Sequence, residues 1–586
     1  MPPHLHPAHF RLRFALDIAR AVVWPVLLCN GALAALRLPL GLAPRILLSL
    51  LAVPANGAVR TAVARRRDAA HAAALGAQPV PCVRGRWPGN VDVVLAFVRS
   101  LRADYLMQFL DDLFRAHGCT ALNMRLFWED QIWTVDETYV RYMVAGAGFE
   151  AFSKGYYWQE RLESFLGNGI FNRDGAEWQS QRAIARPWFA KERISDLNIF
   201  DRHTSTALAL ISEFAGNDEA FDAQDLFARF TIDSASEFLF GTCVDTLHGT
   251  LPVAGKAKLG PKGSSVEDEF GSFAWAFEAV QMQVAQRTRL GKPWPMFELF
   301  HDRMAPHVKV IQDWLRPIVR EALEQKEATA RGDETGEGTF LSHLTNSTDN
   351  PQHIAYSILN MLLAGRDTTA SVLSFVVYLL AIHPEVTDKL RAEVLQAYGS
   401  DGRPSVEDMK DLKYLRAVLN ETMRLFPPVP LNIRSSDDSP RTFPASASSP
   451  KYYVPPNTPV VYSSVIIQRR KELWGPDALD FRPERWLEPE TAKLLAENPF
   501  AFMPFHAGPR LCLGQNFAYN EMSFFIVRLL QRVARFELAP DAQPEGSLPP
   551  QRWKNGEGRQ AVERVWPASS VTTYIKGGLW LRAVSA

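Results

Sequence analysis

Cysteine is scarce in this 586-residue chain: five residues, an odd number, at the widely separated positions Cys29, Cys82, Cys119, Cys243 and Cys512. That excludes a disulfide framework and a clustered zinc site and makes a reducing compartment the default. No CxxCH, HExxH or GxSxG run occurs. The nearest approach to a phosphate loop, Gly249 to Lys256, has one residue too many between its glycines and Ala257 where Ser or Thr should follow. Net charge is absent too: 64 Lys+Arg balance 64 Asp+Glu, which removes the electrostatic reason to expect nucleic acid. No internal repeat is found. Apolar residues are abundant at 47%, enough for a large core, and length alone allows about four domains.

The N-terminus is written differently from the rest. Ala21 to Leu36 and Ile46 to Val59 are uncharged runs separated by Pro39 and Pro44. Each falls short of the ~20 residues of a straight span, so residues 1–67 read as two short or tilted membrane-inserting helices. Arg11, Arg13 and Arg20 before them and Arg60, Arg65, Arg66 and Arg67 after them suit a hairpin with both flanks in the cytosol, whereas Arg37 and Arg45 in the turn oppose it. A bent interfacial anchor and a cleaved signal peptide ending at Ala32-Leu33-Ala34 are the alternatives. Residues 68–90 read as a Pro/Gly hinge, leaving the anchor separate from a globular domain at 91–586. Within that domain helical periodicity dominates, and 246–265 and 435–451 read as surface insertions.

Three stretches carry chemistry. In "PFHAGPRLCLGQ" (504–515) Gly508, Pro509 and Gly514 set an unusual backbone path around Cys512, with Arg510 near enough to stabilise a thiolate. The apolar helix from Ser357 to His383 carries "AGRDTT" (364–369) in its middle, where glycine costs about 1 kcal/mol and a polar patch needs a reason to be buried. A helix from Asp411 to Leu425 ends before Pro427-Pro428 and sets Glu421 and Arg424 one turn apart.

Together these resemble the cytochrome P450 superfamily of haem-thiolate monooxygenases, from about residue 80 onwards: Phe505-x-x-Gly508-x-Arg510-x-Cys512-x-Gly514 as the haem loop, AGRDTT as the oxygen-activating helix, and Glu421-x-x-Arg424 with Pro483-Glu484-Arg485-Trp486 as a structural triad. The segments 169–189, 468–486 and 504–521 are similar to the fungal microsomal branch that hydroxylates alkanes and fatty acids. The resemblance implies a mainly α fold with small β-sheets behind a membrane anchor. It implies haem b ligated by the thiolate of Cys512, with Gly514 N–H groups tuning the sulfur and Phe505 shielding it. Arg510, Trp178 and Arg182 would bind the haem propionates, with Arg434 and His506 as weaker candidates. Thr368 would hydrogen-bond the activated oxygen, its hydroxyl turned out of a helix loosened at Gly365. Asp367 would feed protons through water, and Ala364 and Gly365 would leave room for oxygen. Thr369 is read as a structural neighbour, and Glu421, Arg424 and Arg485 as a buried charged network.

The function this implies is NADPH-driven insertion of one oxygen atom into a C–H bond of a fatty acid or n-alkane. Electrons would come from NADPH–cytochrome P450 reductase, with cytochrome b5 as a further candidate donor, at the endoplasmic reticulum membrane with the catalytic domain in the cytosol. The segments 294–300 ("WPMFELF") and 576–580 ("KGGLW") are candidates for an apolar pocket. Aromatic or xenobiotic substrates, or a haem protein that does not oxygenate, are the rival readings.

Overall fold

The computed structural model describes residues 6–194, 197–256, 258–260, 262–264, 269–331, 338–447 and 449–586. Residues 1–5 of the expected anchor, 257, 261 and 265 of the first insertion and 448 of the second lie outside these ranges.

The N-terminal runs form two helices, α1 (Pro7–Ala35) and α2 (Leu42–Ala74), each long enough to cross a bilayer rather than short as expected. Counting uncharged residues alone missed the flanking arginines, which continue both helices, and Pro54, which α2 absorbs without ending. Arg37 adopts φ 50° in the turn between them, and Asn30 Nδ2 donates to Ser49 Oγ at 2.8 Å across the hairpin. Protein covers almost none of their apolar faces.

The anchor is not separate from the body. Phe10 lies 4.6 Å, ring to ring, from Trp294, and the buried Arg13 guanidinium grips Glu160 from Nε at 2.6 Å and Nη2 at 2.7 Å. At the other end α2 continues past residue 67, and Gln78–Pro79 pairs in parallel with Tyr452–Tyr453. Residues 68–90 are therefore fastened down: Asn90 Nδ2 donates to the carbonyls of Val83 (3.0 Å) and Met124 (2.7 Å). Proline and glycine here shape a tight path rather than a loose one.

The catalytic body is mainly helical, with small sheets. Its functional helices are α3 (Gly175–Ala185), α4 (Ala223–Phe240), α5 (Glu269–Arg289), α6 (Pro351–Ile382), α7 (Lys413–Leu425) and α8 (Gln515–Arg532). The Asn350 side chain caps α6 by accepting from Gln352 and His353 N–H, Pro351 presets its first turn, and the helix ends at Ile382, leaving His383 non-helical before Pro384. Its apolar length packs against α4 and α8, which meet each other through Phe230 and Phe525 at 4.5 Å, while Phe375 stacks on Phe426 beyond α7 at 4.3 Å.

A five-stranded sheet runs in the order Ala121–Asn123, Ile132–Thr134, Pro459–Ser463, Leu431–Ser436, Phe152–Ser153, with only the second and third strands parallel. It positions the site, because Arg434 pairs across it with Val460 and Lys154 follows directly on its last strand.

Candidate active site

The cysteine loop folds as its glycines dictate. Gly508 adopts φ 70°, and a Cβ there would lie 2.0 Å from the Val144 carbonyl oxygen, so no other residue fits. The loop closes on itself through Leu511 N to Gly508 O (2.9 Å) and Cys512 N to Phe505 O (3.0 Å). Helix α8 starts three residues after Cys512, so the positive end of its dipole lies beside the sulfur. Burial pushes the thiol up from its ordinary range, while the Gly514 N–H and Arg182 act in the opposite direction. Cys512 opens into a cavity of about 400 Å³ bounded also by α6, α3 and the sheet.

Cations gather around one wall of this cavity. Arg510 lies 4.3 Å over the Trp178 ring and donates to Asp174 Oδ1 at 2.6 Å; Arg182, one turn after Trp178, lies 6.0 Å from the same ring. Arg434 is 1% exposed, and its Nε has no hydrogen-bond partner among the described residues. Lys154 Nζ donates to Asn432 Oδ1 at 2.7 Å, and His506, at φ 66°, hydrogen-bonds Tyr462 Oη. Burial, reinforced by Arg434 and Arg510, pushes Lys154 well below its ordinary value, and burial with Arg434 and Lys154 does the same to His506. Arg510 is lowered to about 10, again chiefly by burial. So dense a buried positive cluster calls for anions.

The cytochrome P450 family model matches residues 113–556 of this chain. The chain belongs to the cytochrome P450 family. Among similar curated proteins are cytochrome P450 monooxygenase g430 of Fusarium sp, 36% identical over 80% of this chain and 82% of its own length, and cytochrome P450 52E2 of Candida apicola, 34% identical over 82% and 90%. Cytochrome P450 52A3-B of Candida maltosa is 35% identical over 78% and 85%. The chain is thus a cytochrome P450 monooxygenase, and the residues present fit the haem of that family. A thiol opens into the cavity from a glycine-shaped loop, and Arg434 with an orphaned N–H, Arg510, Arg182 and Lys154 stand where two propionates would offset their charge.

Opposite the cysteine, Ala364, Gly365 and Thr368 of α6 line the cavity of this cytochrome P450. Gly365 has a second reason to be glycine: an added Cβ would come within 3.2 Å of Ala235 on α4. Sequence reasoning expected α6 to open here, but the helix is continuous, and Thr368 Oγ1 donates back to Ala364 O at 2.6 Å. Asp367 also differs from expectation. It is buried outside the cavity lining, its Oδ2 2.8 Å from Lys262 Nζ and its Oδ1 2.7 Å from Arg366 Nη1. Burial alone would raise this carboxyl, but the two cations outweigh it and hold it at about 2.

Lys262 belongs to the 246–265 segment, read from sequence as a surface insertion because of its Gly, Lys and Pro. Its tip instead enters the core: Lys262 Nζ also donates to Gln281 Oε1 (2.7 Å) and Thr572 Oγ1 (3.2 Å), and its N–H to Glu278 Oε2 (2.8 Å).

Outside the cavity lining, Glu421 accepts from Arg424 Nε and Nη2, both at 2.8 Å, from Arg485 Nε at 2.9 Å and from Trp486 Nε1 at 2.9 Å. Arg424 also ties the carbonyls of Gln468 and Ala478. Burial would raise Glu421, but Arg424 and Arg485 hold it low.

The two pocket-lining segments expected from sequence are not brought to the cavity. Within 294–300, Trp294 is buried against Phe10, while Met296, Phe297 and Phe300 point outward, Phe300 at 93% exposure. "KGGLW" is a turn after the hairpin Pro567–Ser569/Thr573–Ile575, and residues 569–572 of that hairpin line the cavity in its place. Lys154, Lys262 and Arg289 are the residues sequence reasoning missed; each is a lone cation without a motif.

Proposed function

We propose that this cytochrome P450 hydroxylates an alkyl chain, a fatty acid or n-alkane, with electrons from NADPH passed on by a membrane-bound flavoprotein reductase. The observation that carries this reading is the cavity wall: Phe97, Leu101, Leu162, Val284, Leu363 and Val571 surround the approach to Cys512 with few polar groups. Similarity to the fungal family-52 cytochromes supports it.

Haem, when bound, supplies oxygen activation and the thiolate's electron donation. The chain's own residues do the rest. Cys512 would hold the iron from the rigid loop fixed by Gly508. Lys154, Arg434 and Arg510 would hold the acidic edge of the group. Thr368 presents a hydroxyl to the cavity beside Gly365, and the aliphatic walls exclude water. Asp367, ionised and clamped, is no proton donor as it stands; protons reach Thr368 from this side only through movement of the Lys262 and Arg366 clamp.

We place the enzyme at the endoplasmic reticulum membrane with its catalytic body in the cytosol. The lipid-facing surfaces of α1 and α2 and the outward Met296, Phe297 and Phe300 beside them support immersion of this side, from which an apolar substrate can enter. The test is turnover of the holoenzyme with reductase and NADPH on medium- and long-chain fatty acids, n-alkanes and aromatic compounds. Oxygenated alkyl products are expected, and turnover of aromatic compounds alone would overturn the reading.

A further inference from the structure

Arg289, at the C-terminal end of α5, is a guanidinium in the cavity wall, after the aliphatic Val284 and Ala285 of the same helix. It makes one hydrogen bond, Nη2 to the Ser569 carbonyl at 2.7 Å, and no ion pair among the described residues. Its other N–H groups remain available, and a guanidinium removed from water without a counter-charge is costly. The cations expected to hold the propionates do not explain it: they act on one another, whereas among the described residues the ionisable group acting on Arg289 is the phenol of Tyr574. Burial depresses its basicity, as expected for a cation lacking an anion. Beside it the 569–572 turn places Ser570 Oγ, buried and without a hydrogen-bond partner among the described residues, and Thr288 precedes Arg289 on the wall.

We infer that Arg289, assisted by Ser570, binds the carboxylate of a fatty-acid substrate, which makes the anion rather than the neutral alkane the preferred ligand. This rests on the alkyl-hydroxylase reading above and narrows it. The chemistry is complementary: a carboxylate offers two acceptor oxygens to a planar donor fork and a third acceptor position to a hydroxyl, and the apolar cavity takes the chain. With the head group fixed, chain length decides which carbon lies at the reacting position, so the site sets the position of attack as well as affinity.

The experiment compares a saturated fatty acid, its methyl ester and the n-alkane of equal chain length on the wild-type holoenzyme and on Arg289→Gln and Arg289→Lys. Binding is read from the substrate-induced Soret shift and equilibrium dialysis, and product positions by mass spectrometry. Arg289→Gln keeps an N–H donor for Ser569 O and loses the charge; Arg289→Lys keeps the charge. Loss of one charged hydrogen-bonding partner corresponds to about tenfold to a hundredfold in affinity. The expected result is that loss for the acid in Arg289→Gln, a much smaller loss for ester and alkane, partial recovery in Arg289→Lys, and a broader spread of hydroxylated positions from the acid. Equal weakening of acid and ester, or none for either, would overturn the carboxylate site while leaving alkyl hydroxylation standing if the wild type oxidises these compounds. A wild type that oxidises none of the three would overturn both.

Discussion

Asp367 and Glu521 are carboxyls sealed in the same core and pushed in opposite directions by their neighbours. Asp367 has two cations and stays ionised. Glu521, on α8, has no hydrogen-bond partner for either oxygen among the described residues; Thr369 and Ser234 face it without reaching bonding geometry, and burial raises it to about 8. The folded state therefore holds that proton more tightly than the unfolded chain. The stability tied to it is fully present below about 4.5 and is lost as pH rises through about 8. Glu521→Gln should remove this loss: its free energy of unfolding should match wild type below about pH 4.5 and exceed it increasingly towards pH 8, by about 1–3 kcal/mol at neutrality. A gain independent of pH would show that the carboxyl is not the cause. On the distal side, Thr368→Ala should keep haem and NADPH consumption but divert electrons to peroxide, lowering the ratio of product to NADPH. Lys262→Met, which frees one oxygen of Asp367, should instead speed NADPH consumption at unchanged coupling. Slower consumption in Lys262→Met would refute the clamp.

Among the elements, the Glu421 network is the bond between α7 and the segment after it. Breaking a buried pair leaves an unpaired charge, so Glu421→Gln should cost roughly 3–5 kcal/mol and lower the haem-to-protein ratio, measured by denaturant unfolding and haem absorbance. This network was legible in sequence because one pair is local, three residues apart on a helix, and the rest follows from a short motif. The cysteine loop was legible for the same reason, since Gly508 and its neighbours fix the geometry within a few positions. Lys262 and Lys154 were not. They reach partners 105 and 278 residues away, and nothing near either marks it as buried. The polar composition of 246–265 pointed to solvent, yet Lys262 is stable inside because Asp367 and Gln281 await it. The lengths of α1 and α2 were underestimated because arginines at helix ends can reach the membrane surface with their stems still buried.

For the whole molecule, the joint between anchor and body decides what truncation does. Removing residues 1–67 takes away Arg13 and leaves Glu160, 2% exposed, with Trp294 Nε1 as its remaining close donor at 2.8 Å. The truncated protein should leave the membrane yet unfold more easily, by roughly 3–5 kcal/mol, and Glu160→Gln in that background should recover part of the loss. Release with unchanged stability would mean that the contacts of Phe10 and Arg13 contribute nothing.

The same joint has a consequence for electron supply. A body on a slack tether would tumble above the bilayer and meet its electron donor in every orientation. Here one helix enters the body at Arg13 and the other leaves into a strand, so in the membrane placement proposed above the protein would stand like a bracket fixed at two points. In that placement the Cys512 side would be held at one angle to the lipid plane. The search for a membrane-bound donor then loses its rotational part and becomes a lateral one, which raises the fraction of productive encounters without any added attraction between the partners.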